Sequence, residues 1–180
     1  MKRRFCRALY AGRFQPFHNG HLHAIHFILR KVDELIIAVS ACDKNFTLED
    51  PFTCGERIDM IWSPLAPSVR QSTLLIPLVS QENNRVWPSY LCQLLPHFHV
   101  AYTNNPLQIA LLGGSSVQSR RIPFLHRDSL QGSIIRSSLL KDNGAWKTLV
   151  PPSVKRILNN IDAVNRLRSL NAPQLENHAH

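Results

Sequence analysis

Gly12-Arg13-Phe14-Gln15-Pro16-Phe17-His18-Asn19-Gly20-His21 is the stretch whose reading decides the fold. The short apolar run Ala8-Leu9-Tyr10-Ala11 precedes it. Leu22, Ile25, Ile28, Leu29 and Val32 follow at helical spacing. The order is therefore strand, tight Gly/Pro loop, helix. His18 and His21 stand three apart in the first turn of that helix, so both rings can point the same way. Gly12 lets the backbone approach a ligand closely. Unpaired N–H groups at a helix start favour an anion, and Arg13 adds a fixed positive charge. Two imidazoles, a guanidinium and a helix start around one small volume describe a site for a polyphosphate.

Working outward, the pattern alternates. Residues 5–11 read as the first strand and 18–31 as the first helix. Glu34-Leu35-Ile36-Ile37-Ala38-Val39-Ser40 is a near-continuous apolar run, as in a parallel strand buried on both faces. A polar loop, 41–50, leads through Pro51-Phe52-Thr53 to a helix with Ile58, Ile61, Trp62 and Leu65 on one side, which Pro64 and Pro67 should end. Residues 72–79 read as a strand in which Pro77 marks an end or a bulge. Residues 86–95 read as a helix with Pro88 in its first turn, and 98–102 as a strand. Asn104 or Asn105 caps a helix at 106–112, which Gly113-Gly114 ends. A weak strand signal lies at 117–124, and helices are expected at 133–140, 151–161 and 162–170. The fold class expected is α/β: a doubly wound parallel sheet, Rossmann-like, with C-terminal helices, in a single domain over 1–172 and a frayed tail at 173–180. Ligands in such sheets sit outside the carboxyl ends of the strands. The loops 41–54, 80–86 and 103–106 should join the opening loop at that edge.

Composition sets bounds. Hydrophobic residues make up 44% and charged residues 18% of 180, which argues against disorder. The formal net charge of +9 suits an anionic ligand and by itself also permits nucleic acid. No Arg/Lys-aromatic interleaving supports a nucleic-acid partner, so none is expected. Cys6, Cys42, Cys54 and Cys92 form no Cys-x-x-Cys pair, so a zinc site is not expected. They read as reduced thiols of a cytoplasmic protein. No apolar run reaches the ~18 residues of a membrane span, and no membrane partner is expected.

The opening decapeptide resembles the nucleotidyltransferase signature Gly-x-Phe-x-Pro-x-His-x-Gly-His at Gly12, Phe14, Pro16, His18, Gly20 and His21. Further segments resemble the archaeal-type nicotinamide-nucleotide adenylyltransferases: Asp50-Pro51-Phe52-Thr53-Cys54-Gly55-Glu56-Arg57, Arg85-Val86-Trp87-Pro88-Ser89-Tyr90, Tyr102-Thr103-Asn104-Asn105-Pro106-Leu107, Gly132-Ser133-Ile134-Ile135-Arg136 and Val150-Pro151-Pro152-Ser153-Val154. The resemblance implies transfer of AMP from ATP to nicotinamide mononucleotide (NMN), giving NAD and pyrophosphate, with Mg2+ on the triphosphate and a homo-oligomeric assembly.

It also implies roles. His18, His21 and Arg136 are the expected catalytic residues, stabilising charge on the phosphates. Gly12, Arg13, Phe14 and Ser133 are expected along the ATP, and Tyr102, Asn104 and Pro106 around its adenosine. Trp87 is either a platform for the nicotinamide ring or a core tryptophan. Asn84 either bonds the carboxamide or is an ordinary loop residue. Thr53 and Arg57 either contact the mononucleotide's phosphate or hold the loop. Trp62 and Trp146 read as core. Three departures from the family stand out: Gln131 before Gly132, Ser137-Ser138 after Arg136 where the family carries Arg-Arg, and Cys42-Asp43-Lys44-Asn45-Phe46 in the second loop. Other acceptors of the same fold, pantetheine phosphate, FMN or a polyol phosphate, are the competing enzymatic reading. A nucleic-acid-binding regulatory module is the competing reading of another class.

Overall fold

Strand β2, Glu34–Val39, explains the architecture. Leu35 to Val39 are all fully buried, and they alternate between two cores. Leu35, Ile37 and Val39 face one side, and Ile36 and Ala38 the other. A strand covered on both faces must lie inside a parallel sheet with helices on each side. Each fully buried aliphatic side chain there contributes about 1.5–3 kcal/mol.

The computed structural model describes residues 5–123 and 130–172. Among them, β2 pairs in parallel with β1, Arg7–Gly12, and with β3, Thr73–Pro77. On its other side β1 pairs with β4, Val100–Tyr102, which pairs with β5, Gln118–Arg120. The order is β3-β2-β1-β4-β5. The expected doubly wound parallel sheet is the one observed. Its direction of winding reverses between β1 and β4, so a crevice opens at the carboxyl end of β1, where such folds bind ligands.

One face carries α1, Asn19–Leu29, with α2, Cys54–Trp62, and the C-terminal helices α6, Gly132–Lys141, α8, Pro152–Asn160, and α9, Ala163–Asn171. The other carries α4, Trp87–Leu94, and α5, Pro106–Gly113, through Leu91 and Leu112. Asn105, not Asn104, caps α5: its carboxamide oxygen accepts from Leu107 N at 2.9 Å. Pro77 ends β3, an edge strand, where a missing donor costs least.

Three expectations need correction, and one helix is added to them. Pro67 does not end a helix. It opens a short one, α3, Pro67–Gln71, because proline's fixed φ suits a first helical position. A 3-10 turn, Asn84–Val86, precedes α4, which starts at Trp87 and not at Val86. A further short helix, α7, Trp146–Leu149, buries Trp146 in the core. Finally, Cys42 and Cys54 are joined in a disulfide, leaving Cys6 and Cys92 as free thiols. Their Cα atoms lie 4.8 Å apart because the exit of β2 and the start of α2 abut the same opening loop. The expected tail, 173–180, and Phe124 of the expected fifth strand fall outside the described residues.

Candidate active site

The loop after β1 is built around close approaches. Phe14 takes a left-handed φ of 52° and turns its ring back over Gly12. A Cβ on Gly12 would come within 3.1 Å of that ring, so a side chain there would displace it. The Gln15-Pro16 peptide is cis. Gln15 uses both ends of its carboxamide on one residue: Nε2 donates to Phe52 O at 2.9 Å, and Oε1 accepts from Phe52 N at 3.1 Å. Loop one is thereby sewn to the 41–53 loop.

Helix α1 then begins. The His18 carbonyl accepts from His21 N at 2.9 Å and Leu22 N at 3.2 Å. The His18 N–H donates to His21 Nδ1 at 3.2 Å. That bond fixes the tautomer: Nδ1 is the acceptor, so in the neutral ring the proton sits on Nε2. The His18 and His21 rings stack, centroids 3.6 Å apart. A Cβ on Gly20 would lie 3.0 Å from the His18 ring, so the signature glycine makes room for the imidazole.

Phe14 and Phe17 flank His21 at 4.9 and 5.5 Å between ring centroids. Burial pushes His18 down to about 4. It pushes His21 well below its ordinary range, and the neighbouring His18 adds to that. Both rings are therefore neutral donors at pH 7. The consequence for stability has a definite sign. Between about pH 6.5 and 4 the unfolded chain takes up a proton at residue 18 that the folded chain refuses. Stability must fall as pH drops through that window, by on the order of 3 kcal/mol for His18 alone. Urea denaturation at pH 7 and pH 5 should show about 2 kcal/mol of that loss from His18, and His18→Gln should reduce the slope by that share. An equal slope in the variant would contradict the assignment.

Helix α6 supplies the opposite wall. A Cβ on Gly132 would sit 2.8 Å from the Gln15 carbonyl oxygen, so glycine lets the start of α6 press against the opening loop. Arg136 reaches across from the next turn: Nη1 donates to Gln15 O at 2.8 Å and Nε to Leu48 O at 3.0 Å.

Three cavities run along this edge and share walls. The middle one, about 300 Å3, is bounded by Arg13, His18, His21, Gly132, Ser133 and Arg136. Among the described residues its lining holds no carboxylate. His18 and His21 also wall a second cavity of about 300 Å3, with Tyr10, Asn104, Ile122 and Leu130. Arg13 also walls a third, about 420 Å3, with Ser40, Asp50, Asn84, Trp87 and Leu107. The cavity that shares walls with both others thus carries Arg13, Arg136 and the two imidazoles.

The structure brings Arg13, Phe14, His18, His21, Ser133 and Arg136 to the middle cavity and Asn84 and Trp87 to the third. It places others elsewhere. Tyr102 is buried in the core with its ring against Phe27, and so does not face the cleft. Pro106 opens α5 and walls none of the three cavities. Asn104 reaches the second cavity, yet its carboxamide is used on the backbone N–H and C=O of Ile122. Thr53 caps α2 through Glu56 N and walls none of the three cavities. Arg57 is fully buried and donates to Arg13 O and Ser40 O at 2.8 Å and to Ala41 O at 2.9 Å. For Thr53 and Arg57 the loop-holding reading is therefore the one that the contacts support. Gly12 lies beneath the Phe14 ring.

Sequence reading passed over Gln15, Asp50 and the Glu56–Arg166 pair. The Arg166 guanidinium forks both Glu56 oxygens at 2.7 Å and ties α9 to the start of α2. The signal for Gln15 lay within the motif itself, at a position its pattern leaves open.

A family model described as cytidylyltransferase-like matches residues 9–142. The chain is therefore one of the cytidylyltransferase-like nucleotidyltransferases, as its sheet and histidine loop require. A nicotinamide-nucleotide adenylyltransferase of Haloarcula marismortui is 38% identical over 174 residues, covering 96% of this chain and 92% of that protein. Another, of Methanothrix thermoacetophila, is 39% identical over 164 residues, covering 91% and 95%. The chain belongs to the nicotinamide-nucleotide adenylyltransferase family.

Among solved structures, a bifunctional NMN adenylyltransferase/ADP ribose pyrophosphatase of Francisella tularensis, in complex with AMP and a Mn ion, has a TM-score of 0.74 at 18% identity. It covers 93% of this chain, which spans about half of that one (52%). A Plasmodium falciparum nicotinic acid mononucleotide adenylyltransferase in complex with NaAD has a TM-score of 0.63 at 14% identity, covering 90% and 98%. At these identities the likeness speaks for the fold alone.

Proposed function

We propose that the chain joins ATP to nicotinamide mononucleotide by direct in-line attack. The observation that carries this reading is the middle cavity, with two neutral imidazoles, two guanidiniums and a helix start, between cavities on either side. The triphosphate lies in the middle and the adenosine in the cavity beside Asn104. NMN occupies the third, its pyridinium against Trp87, an attraction of about 0.5–2 kcal/mol. An oxygen of the mononucleotide's phosphate, already ionised at neutral pH, attacks the α-phosphorus. The bond from that phosphorus to the bridging oxygen breaks, and pyrophosphate leaves. No base is needed. The protein positions two anions and neutralises the charge growing on the leaving group. His21 Nε2–H, Arg136 and the first N–H groups of α6 are the donors for it.

Mg2+ enters with the ATP as part of the substrate. The described residues hold no group of three or more His, Cys, Asp or Glu placed to hold a metal. We assign its ligands to phosphate oxygens and water, which a hard cation prefers. Cytoplasmic location and homo-oligomeric assembly belong to the same reading and rest on family membership. No described helix is long and apolar enough to cross a membrane.

The test incubates the protein with Mg2+, ATP and one acceptor at a time. NAD and pyrophosphate should form in equal amounts from NMN, and no adduct should form from pantetheine phosphate, FMN or glycerol phosphate. Turnover of one of those acceptors in place of NMN would overturn the reading. Trp87→Ala should raise KM for NMN about tenfold and change KM for ATP less than twofold, a split of about 1.4 kcal/mol. Equal effects on both would make Trp87 structural.

A further inference from the structure

Arg13 and Arg136 line the cleft and Arg57 lies buried behind its loops, and each is held differently. Arg57 spends its Nε and both terminal nitrogens on backbone carbonyls. Arg136 is pinned by two carbonyls. Among the described residues Arg13 is held by carboxylates alone: Nη1 straddles the two oxygens of Asp50 at 3.2 and 3.3 Å, and Glu49 Oε2 lies 3.9 Å from it. Its Nε and Nη2 have no other partner among the described residues. This is a single-nitrogen grip at long range, not the forked pair that a guanidinium can make with a carboxylate. Half of the Arg13 side chain is exposed, whereas Asp50 keeps only 6% of its own. The carboxylate is a fixed anchor, since the Asp50 N–H donates to Thr47 Oγ1 at 3.0 Å and its carbonyl accepts from Thr47 N at 3.3 Å. The guanidinium is the exposed partner. Asp50 also acts on the other two arginines. Burial disfavours the charge on Arg57 and Arg136 and the nearby Arg13 adds to that, while Asp50 restores part of it, together with Asp43 at Arg57 and Glu49 at Arg136.

The triphosphate must be gripped for attack, yet the pyrophosphate must leave. A cluster of guanidiniums with no counter-charge would bind substrate and product alike, and such uniform binding does not raise turnover. We propose that Asp50 is a positioning residue, an internal counter-ion that aims Arg13 at the junction of the middle and third cavities and competes with phosphate for it, so that pyrophosphate is released. The inference rests on the reaction proposed above.

The experiment compares wild type with Asp50→Asn, Asp50→Ser and Asp50→Glu. Inorganic pyrophosphate is titrated calorimetrically, and steady-state kinetics and thermal melts are recorded for each. The neutral variants should bind pyrophosphate about three- to tenfold more tightly, as loss of one adjacent negative charge predicts. Their KM for ATP and their kcat should fall together. Asp50→Glu, which keeps the charge, should remain within about twofold of wild type. A merely structural aspartate would give the opposite sign: weaker pyrophosphate binding and higher KM. That result, unchanged pyrophosphate affinity, or failure of both neutral variants to fold would overturn the proposal. If wild type binds pyrophosphate but makes no NAD, the reaction assignment fails instead, and the titration still reports on Asp50.

Discussion

His18→Ala and His21→Ala should each lower kcat by about two to three orders of magnitude, equivalent to about 3–4 kcal/mol of transition-state stabilisation. The size follows from what the rings do. Negative charge grows on the leaving pyrophosphate only as the bond to the α-phosphorus breaks. A donor aimed at that position counts most in the transition state. His21 is prepared for this role: its Nδ1 is already occupied by the His18 N–H, so Nε2–H remains for the ligand. The ring's orientation is set by Phe14 and Phe17 and needs no reorganisation during reaction. Because both rings are neutral when the site is empty, they bind the ground-state anion weakly. KM for ATP should therefore change less than kcat. His21→Gln keeps a donor without the stacked geometry and should recover part of the loss. Steady-state kinetics beside a melting curve separates lost chemistry from lost fold. Turnover near the wild-type value in both alanine variants would remove the histidines from the mechanism.

Much of this site is legible in the residues because its requirements are local. A glycine beneath a turned-back ring and a glycine beside an imidazole are each demanded by atoms two positions away. The same holds for β2, whose apolar run on both faces can only be the inside of a parallel sheet. The reading fails where the deciding contact is distant in sequence. Tyr102 ends a strand in a segment that resembles the family's, and on that resemblance it reads as an adenosine contact. Yet β4 is short and wholly buried, and the ring has a place only against Phe27. Asp50 looks like one polar residue in a polar loop until the turn brings it to Arg13, 37 positions away. Cys42 and Cys54 carry no spacing signal, and their pairing follows from how two elements meet the opening loop. Likewise nothing local distinguishes an arginine that binds phosphate from one that binds carbonyls.

Arg57 is the place where that distinction can be measured. Replacing it by methionine keeps most of the aliphatic volume and deletes every donor. Four carbonyls then lose a charged partner: Thr53 O at the start of its own helix, and Arg13 O, Ser40 O and Ala41 O across the fold. A bond to a charged donor contributes about 1.5–3 kcal/mol, and an unsatisfied buried acceptor costs about 1–3 kcal/mol. Removing a buried cation also recovers some desolvation, so the terms do not simply add. A net loss of about 3–5 kcal/mol is expected, and a melting temperature lower by about 10 °C at this chain length. In urea the midpoint should fall with the slope unchanged. Arg57→Lys should lie between, because a compact ammonium cannot span four carbonyls at once. Activity should fall too, but as a consequence: the three carbonyls across the fold belong to the loop that carries Arg13 and to the exit of β2, so KM for both substrates should rise together. If Arg57 instead gripped the mononucleotide's phosphate, the variant would melt near the wild-type temperature with KM raised for NMN alone. That pattern would return Arg57 to the binding site and leave the junction of the two loops without its present explanation.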